Sequence, residues 1–398
     1  MDGAAGFDRM WAELAPVGRS AATAGYRRYA WTTTDRQLRE WFEAEAARRG
    51  LQLTRDRAGN QWAWWGNPAD GPAVVVGSHL DSVPDGGAFD GPLGVVSSFA
   101  ALDLLVEQGY SPSRPVAVVN FGDEEGARFG IACAGSRMLT GALPADRARA
   151  LTDADGTSMA EAMRWAGFDP EELAADPESL ARIGCFVELH VEQGRGLAEL
   201  DRPLAIGSAI WPHGRWRVRL PGQANHAGTT RLADRDDPML AYARLVLAAR
   251  AAAERHESVA TMGKVLVEPN GVNAIPSLVT AWLDARGPVP ERVRRLVAEL
   301  AEQAESAGGG LVEESWTEQT AFDAGLIDRL RRLLPDAPVL ATGAGHDAGI
   351  LANAGIPTAM LFVRNPTGIS HSPAEHAEPA DCHAGVQALG RVIAELAG

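Results

Sequence analysis

The feature that most constrains this chain is a series of short apolar runs that each end in polar residues. Ala73-Val-Val-Val-Gly-Ser-His79 is one such run, and Pro115-Val-Ala-Val-Val-Asn-Phe121 is the next. Continuous apolar runs of this length are typical of strands buried on both faces of a parallel sheet. A helical segment, Leu93 to Gln108, separates them, and the pattern returns with Ile356 to Phe362 before a helix from about Cys382 to Leu396. This alternation of strands and helices predicts an α/β fold.

The stretch from about Gly207 to Thr317 has a different pattern. Trp216-Arg-Val-Arg-Leu220 alternates with a period of two, as a strand with one solvated face does. A helix is predicted after it, with Asp237 as N-cap and Pro238 at the first helical position, and two strands and a second helix follow. This order predicts a small α+β domain inserted into the larger one. We therefore expect a catalytic domain formed by residues 1–206 and 318–398, and an inserted domain formed by residues 207–317.

Charge and cysteine content exclude several classes of function. The chain of 398 residues carries 37 basic and 52 acidic side chains, a net charge of −15, which argues against nucleic acid or anionic lipid as a partner. Its three cysteines are far apart and form no CxxC pair, so neither a disulfide framework nor a thiolate zinc site is expected. The first residues lack the features of a signal peptide, and no run of 18 apolar residues occurs. We therefore expect a cytoplasmic protein with no membrane partner.

The strongest chemical signal follows the first buried strand. Gly77-Ser-His-Leu-Asp-Ser-Val83 places His79 and Asp81 at the carboxyl end of that strand, where open α/β sheets bind their ligands. A histidine there can bind a metal through one ring nitrogen, while a carboxylate two residues on holds the other nitrogen. Asp90, in the glycine-rich segment Gly86-Gly-Ala-Phe-Asp-Gly91, is a second candidate ligand. Taken alone, a His-x-Asp pair is more often an ordinary histidine at a strand end.

Three further segments carry groups of the same kind. The next strand ends in Asn120-Phe-Gly-Asp-Glu-Glu-Gly126, whose adjacent carboxylates are costly unless they are solvated or neutralised by cations. In Val187-Glu-Leu-His-Val-Glu-Gln193, a period of two places His190 on the same face as two glutamates. Gly368-Ile-Ser-His-Ser-Pro-Ala-Glu375 contributes His371 after a further strand and a short loop. All four segments are therefore expected near one edge of the sheet.

These candidates supply only nitrogen and oxygen donors. Such donors suit zinc, manganese, cobalt or nickel better than copper(I) or an iron–sulfur cluster. Three histidines, an aspartate and a glutamate are more ligands than one tetrahedral ion needs, and a carboxylate that bridges two ions would explain their number. Two-metal sites activate water between the ions. We therefore expect two divalent metal ions per subunit, Zn²⁺ or Mn²⁺, with Co²⁺ or Ni²⁺ as alternatives.

These motifs resemble those of the hydantoinase/carbamoylase family, a branch of the dinuclear aminoacylase and carboxypeptidase superfamily. The branch includes allantoate amidohydrolase, N-carbamoyl-L-amino-acid hydrolase and β-ureidopropionase. The resemblance begins at about Asp56 and rests on seven segments in order, HLDSVPDGGAFDGPLGV, DEEGARF, ELHVEQG, GQANHAGTT, PNGVNAIP, GAGHDA and GISHSPAE. It implies a mixed-sheet α/β catalytic domain of the aminoacylase/carboxypeptidase type, interrupted by a smaller α+β lid domain that forms a homodimer.

The resemblance also implies roles for individual residues of the catalytic domain. The metal ligands would be His79, Asp90 and His190 for one ion, and Asp90, Glu125 and His371 for the other. Asp90 would then bridge the two ions, and Asp81 would orient a histidine ligand. Glu124 would act first as general base and then as proton donor.

Further residues would act on the substrate. In the inserted domain, the resemblance implies that His226 stabilises the oxyanion and that Asn273 and Arg286 bind the substrate carboxylate, which arginine can grip as a bidentate fork. Without the resemblance, Arg286 could form a surface ion pair and Asn273 could belong to a turn. The other candidates for substrate binding are Gln193, Gly345 and His346. The last of these could instead only organise the glycine turn.

The sequence departs from the family pattern at Arg195, at Arg231-Leu232 and at Arg364-Asn365. None of these positions is a predicted ligand or base. Arg364 and Asn365 could lie near the substrate, although Arg364 could also form an ordinary salt bridge.

The resemblance predicts metal-dependent hydrolysis of the carbamoyl (ureido) C–N bond of a small carboxylate. The polar pair at 364–365 favours allantoate, with its second ureido group, over an N-carbamoyl-L-amino acid or β-ureidopropionate. An aminoacylase or dipeptidase that cleaves an ordinary amide, and a homologue that binds metal without catalysis, are left open.

Overall fold

The computed structural model of the protein describes residues 3–398, which divide into two compact units. Residues up to 208 and from 321 onwards form the larger one, which we call the sheet unit. Residues 209–320 form the smaller one, which we call the inserted unit. The insertion thus spans 209–320 in the structure, where the sequence pattern placed it at 207–317.

The strands lie in both units and are numbered here in chain order. They are β1 (Gln52–Arg55), β2 (Gln61–Trp65), β3 (Ala73–His79), β4 (Val116–Phe121), β5 (Ile183–Val191), β6 (Leu204–Ile210), β7 (His213–Pro221), β8 (Asn225–His226), β9 (Val259–Glu268), β10 (Ala274–Ile275), β11 (Leu278–Arg286), β12 (Gly310–Thr317), β13 (Thr320–Ala321), β14 (Val339–Thr342) and β15 (Thr358–Val363).

The helices are numbered in the same way. They are α1 (Gly3–Leu14), α2 (Thr33–Arg48), α3 (Pro92–Glu107), α4 (Ala134–Thr140), α5 (Ala145–Ala150), α6 (Met159–Trp165), α7 (Pro177–Ala181), α8 (Gly196–Leu200), α9 (Pro238–Arg255), α10 (Pro290–Ser306), α11 (Ala324–Leu333), α12 (Asp347–Asn353) and α13 (Pro379–Ala397). Two short 3₁₀ turns occur at Pro170–Glu172 and Leu232–Asp234.

The sheet unit is built on one mixed sheet with the strand order β1-β2-β4-β3-β5-β15-β6-β13, and β14 pairs with β6. β3 lies between β4 and β5 and is parallel to both, and β15 is parallel to β5. β2 and β6 pair in the antiparallel sense with β4 and β15. The predicted α/β fold with a mixed sheet is confirmed. Because β3, β4 and β5 run in the same direction, their carboxyl ends meet at one edge of the sheet.

Burial explains why the central strands have continuous apolar sequences. β3 and β4 are buried along their whole length, as the apolar runs predict. Helix α3 packs against β3 and β5, and α1 and α13 pack against α3. Almost every residue of α3 is buried for that reason, which is typical of a helix that is apolar on all sides.

The inserted unit has a four-stranded antiparallel sheet with the order β12-β7-β11-β9. In β7, buried residues such as Trp216 and Val218 alternate with exposed ones, as the period of two predicts. Helices α9 and α10 pack on this sheet. In α10 the buried face contains Val293, Leu296 and Leu300. This unit therefore has a hydrophobic core of its own.

Within residues 3–398, no helix combines the length and the apolar character that crossing a membrane requires.

Candidate metal centre

Two buried histidines lie side by side at the edge where the parallel strands end. His79 is the last residue of β3 and is 1% exposed, and His190 lies in the neighbouring β5 and is fully buried. Their ring centroids are 5.9 Å apart. The loop that follows β3 allows this packing through Gly91, where a β-carbon would lie 2.4 Å from the His79 ring. The sequence thus places two buried imidazoles beside a glycine turn.

Asp90 completes a first cluster with these two histidines. Its Oδ1 lies 3.2 Å from His190 Nε2 and 3.6 Å from His79 Nε2. The three donor atoms lie within 4.8 Å of one another. Neither Nε2 makes a hydrogen bond within residues 3–398, although both are buried. Buried polar atoms are normally satisfied, so two unpaired nitrogens that face a carboxylate fit a bound cation.

Asp90 also takes part in a second cluster. Its Oδ2 lies 3.4 Å from His371 Nε2, and that nitrogen lies 3.6 Å from Glu125 Oε2. The other oxygen of Glu125 is buried and has no hydrogen bond in the described part of the chain. The nearby histidines outweigh the effect of burial and hold the pKa of Asp90 well below its usual range. A carboxylate shared by two clusters of nitrogen and oxygen donors suits a pair of divalent ions.

The pKa values of the second cluster show how its charges are balanced. The hydrogen bond to Asp90 raises the pKa of His371 to about 9. Burial raises the pKa of Glu125 to about 7, and the charge of Asp90 adds to that effect. Both groups therefore tend to hold a proton near neutral pH, which a metal ion would displace.

Asp81 connects the end of β3 to the acidic turn that follows β4. Its Oδ1 accepts a hydrogen bond from the backbone amide of Glu124 at 3.1 Å, and its Oδ2 accepts one from that of Glu125 at 3.0 Å. Oδ1 also lies 3.3 Å from His79 Nδ1. This geometry is compatible with the expected orientation of His79. The contacts to both glutamate amides were not anticipated from the sequence.

Glu124 lies beside the first cluster and is 5% exposed. Its Oε2 is 3.8 Å from His79 Nε2, and its Oε1 accepts a hydrogen bond from the Cys133 thiol at 3.1 Å. Burial raises the pKa of Glu124 well above the ordinary value. A carboxyl with a raised pKa next to a polar site can accept a proton and return it.

A buried polar layer lies behind His190. Glu188 accepts hydrogen bonds from Ser78 Oγ at 2.6 Å and from the Ala348 amide at 3.0 Å. His346 packs against His190 with ring centroids 4.5 Å apart, and burial lowers the pKa of His346 well below its usual value. His346 thus lies directly against a candidate ligand, and Gly345 precedes it at the start of α12. The substrate-binding roles of both residues stay predictions.

Gln193 contacts two of the candidate ligands. Its Nε2 donates to Asp90 Oδ2 at 2.8 Å and lies 3.4 Å from His371 Nε2. Glu192, which the period of two placed on the same face as His190, lies elsewhere. Its carboxylate accepts hydrogen bonds from the amides of Gly196 and Leu197 at the start of α8. The reason is that β5 ends at Val191, so the strand period stops before Glu192.

The three candidates of the inserted unit are described within that unit. The strands β8 and β10 pair His226 with Ala274, next to Asn273, whose carbonyl accepts a hydrogen bond from the Ala227 amide. Both side chains are exposed. Arg286 donates from Nε and Nη2 to the two carboxylate oxygens of Asp284, at 2.6 and 2.9 Å. The ion pair of Arg286 and the turn position of Asn273 match the alternatives that the sequence left open. The roles of all three residues toward a substrate stay predictions.

Arg364 has the salt bridges that the sequence left open as the alternative to a position near the substrate, and Asn365 is hydrogen-bonded within its own loop. Arg364 forms ion pairs with Asp381 and Asp201. Asn365 is fully buried, its Oδ1 accepts from the amides of residues 367 and 368, and its Nδ2 donates to the carbonyl of Ile369. The Asn365 side chain thus holds the loop that leads to His371, whereas Arg364 is paired with aspartates outside that loop.

The comparisons with known proteins cover almost the whole chain. The family described as Peptidase family M20/M25/M40 matches residues 75–395, which include all five candidate metal ligands. An N-carbamoyl-L-amino acid amidohydrolase of Geobacillus stearothermophilus is 36% identical over 404 residues, which is 98% of each chain. An allantoate amidohydrolase of Escherichia coli is 33% identical over 381 residues, 92% of this chain and 91% of that protein. The crystal structure of a hydantoinase/carbamoylase family amidase from Burkholderia vietnamiensis has a TM-score of 0.88 and 30% identity, and the match covers 100% of this chain and 97% of that one.

Proposed function

Because the chain belongs to peptidase family M20/M25/M40, we propose that it hydrolyses the ureido C–N bond of a small N-carbamoyl carboxylate at a centre of two divalent metal ions. Its relatives are amidohydrolases of the hydantoinase/carbamoylase type, so the chain is a hydrolase that acts on carbon–nitrogen bonds. The observation that carries the proposal is the position of Asp90, which is shared by two donor clusters beside the buried carboxyl of Glu124.

The donor atoms determine which residues would hold each ion. His79, Asp90 and His190 would bind one ion. Asp90, Glu125 and His371 would bind the other, so that Asp90 would be shared by both. The donors favour Zn²⁺ or Mn²⁺, with Co²⁺ or Ni²⁺ as alternatives. When bound, two such ions activate a water molecule and polarise a carbonyl group.

Glu124 is the proposed proton carrier. It takes a proton from the attacking water and later gives it to the leaving nitrogen, which avoids a separate acid and base. Its burial supports this role, because burial disfavours the charged carboxylate and raises the pKa of Glu124 well above the ordinary value. Asp81 helps to position Glu124, since its carboxylate accepts a hydrogen bond from the Glu124 backbone amide.

The inserted unit supplies the proposed substrate contacts. Arg286 and Asn273 would bind the substrate carboxylate, and Asp284 holds the guanidinium in one orientation through two hydrogen bonds. His226 would stabilise the oxyanion, a contribution often worth ~3 kcal/mol per donor. Gln193, which donates to Asp90, would orient the ureido group next to the shared carboxylate.

For the substrate we favour an N-carbamoyl-L-amino acid over allantoate. The expectation of allantoate depended on Arg364 and Asn365, but Arg364 is paired with two aspartates and Asn365 is hydrogen-bonded within the loop that leads to His371. The relative with 36% identity is named for N-carbamoyl-L-amino acids. Allantoate is the second candidate, because a relative with 33% identity is named for it.

We also propose that the inserted unit forms a homodimer. β9 lies at one edge of its sheet, so its outer backbone groups are available to pair with another strand. Apolar side chains are exposed on β9 and on the adjacent helix α9, namely Leu240, Val246, Leu247, Val265 and Leu266. Exposed apolar side chains beside an unpaired sheet edge are compatible with an interface. Analytical ultracentrifugation tests this proposal, and a purely monomeric protein would contradict it.

The decisive experiment measures ammonia release by protein that has been stripped with a chelator and then supplied with Mn²⁺ or Zn²⁺. N-carbamoyl-L-methionine, allantoate and β-ureidopropionate are compared in parallel by this assay, and release of free methionine from N-acetyl-L-methionine is measured separately as a test for amide cleavage. Faster metal-dependent turnover of the carbamoyl amino acid is the expected result. Cleavage of the acetyl compound alone would make the protein an aminoacylase, and bound metal without turnover of any substrate would overturn the catalytic proposal.

A further inference from the structure

Glu375 is a buried carboxylate beside the candidate metal centre that has been given no role so far. It is 5% exposed and lies four residues after His371. Its Oε1 accepts hydrogen bonds from the backbone amides of Phe89 and Asp90, both at 2.9 Å. Its Oε2 accepts one from Ser370 Oγ at 3.0 Å. One side chain therefore joins the segment that carries the shared carboxylate to the loop that carries a histidine of the second cluster.

The space that Glu375 occupies depends on a glycine. A β-carbon at Gly87 would lie 2.4 Å from Oε1 and 2.5 Å from Cβ of Glu375. The φ angle of Gly87 is not positive, so the backbone there does not itself require glycine. A side chain at Gly87 is excluded because the carboxylate of Glu375 occupies the space that it would need.

The two donor clusters differ in how their ligands are anchored. The first takes His79 and His190 from two adjacent strands of the buried sheet. The second takes His371 from a loop, where its side chain is 51% exposed and its φ angle is +54°. A loop ligand depends on side-chain contacts for its position, because no strand ladder holds its backbone. The second cluster should therefore depend more strongly on Glu375.

We propose that Glu375 is a positioning residue for metal binding, which sets the backbone of Asp90 and the loop of His371 so that the second cluster can hold its ion. This inference rests on the proposed two-metal function. Partners that orient metal ligands typically change metal affinity by about 10–100-fold when they are removed. Glu375 itself need not touch metal or substrate.

Calorimetric titration of the metal-free protein with Mn²⁺ tests this proposal, and elemental analysis after desalting gives the amount of metal retained. Glu375→Ala should bind the second equivalent about 10–100-fold more weakly. The first equivalent should change less, because its two histidines are held by strands and only Asp90 is shared. Glu375→Gln should restore binding, because its carbonyl oxygen can accept from both amides while its NH₂ donates to Ser370. Glu378→Ala, at an exposed position three residues further on, is the matched control and should bind both equivalents like the wild type.

Gly87→Ala is an independent second test, since it leaves Glu375 in the sequence but places a methyl group in the space that the Glu375 carboxylate occupies. It should show the same loss of the second equivalent. Unchanged binding in both Glu375→Ala and Gly87→Ala would overturn the role of Glu375 while leaving the two-metal function intact. If Glu375→Ala does not fold, unchanged binding in Gly87→Ala alone overturns it. A wild-type protein that binds no metal would overturn both proposals.

Discussion

The thiol of Cys133 donates a hydrogen bond to Oε1 of Glu124 at 3.1 Å, and both side chains are buried. The carboxylate of Glu124 is thereby oriented from one side by the thiol, while its other oxygen faces His79 at 3.8 Å. The proposed base therefore has a defined direction before any substrate binds. A weak S–H donor stabilises a carboxylate only modestly, which leaves Glu124 free to change its protonation state.

Glu124→Gln should abolish turnover without loss of metal. Glutamine keeps the shape and can still accept from the Cys133 thiol, but it cannot take up a proton. General acid–base catalysis contributes roughly 10²–10⁴-fold, so kcat should fall by at least about 10²-fold. Metal content and melting temperature should match the wild type. A variant that keeps most of its activity would exclude Glu124 as the proton carrier.

Asp81→Asn should weaken metal binding, since Asp81 joins His79 to the acidic turn. Both carboxylate oxygens accept backbone amides, so an asparagine NH₂ would set a donor against the amide of Glu124 or Glu125. We expect about 10–100-fold lower metal affinity, measured by titration of metal-free protein. Asp85→Asn, which changes a partly exposed carboxylate paired with Arg27, is the control and should bind normally. Equal affinities in the two variants would contradict the role given to Asp81.

The central strands could be predicted from the sequence because they are buried on both faces of the sheet. β3 and β4 have continuous apolar sequences for that reason, and the histidine at the end of β3 follows from the same pattern. β12 could not be found in this way. None of its eight residues is buried and four are exposed, so neither a continuous apolar run nor a clean period of two identifies it. β1 has four residues, and neither of its faces is buried.

The candidate metal ligands could be identified from sequence motifs, but the residues that hold them in position could not. Glu375 and Asp90 are 285 positions apart, and only the folded sheet brings the glutamate to the aspartate amide. The contact between Cys133 and Glu124 depends on a turn in which Cys133 has a φ angle of +54°, which its side chain does not favour. Contacts of this kind depend on tertiary structure, and no local pattern encodes them.

Metal binding should release protons, and the affinity should rise with pH. Asp90 raises the pKa of His371 to about 9, so the metal-free protein keeps a proton there at neutral pH. A metal ion needs the neutral imidazole and must displace that proton. The apparent affinity should therefore increase as the pH rises toward 9 and decrease as the pH falls. Calorimetry at pH 7.5 in two buffers of different ionisation enthalpy measures the release, and identical heats in both buffers would contradict it.

Arg364→Ala should leave the choice of substrate unchanged, because Arg364 is paired with Asp381 and Asp201 instead of being directed at a ligand. Partly exposed ion pairs contribute about 0–1 kcal/mol, so we expect a small decrease in the free energy of unfolding. The ratio of kcat/KM for N-carbamoyl-L-methionine to that for allantoate is the decisive measurement, with Arg329→Ala as a control at another exposed ion pair. A tenfold change in the ratio corresponds to about 1.4 kcal/mol of differential transition-state binding. A change of that size in Arg364→Ala alone would mean that the guanidinium leaves its aspartates to contact the substrate, and the preference for allantoate would then regain its support.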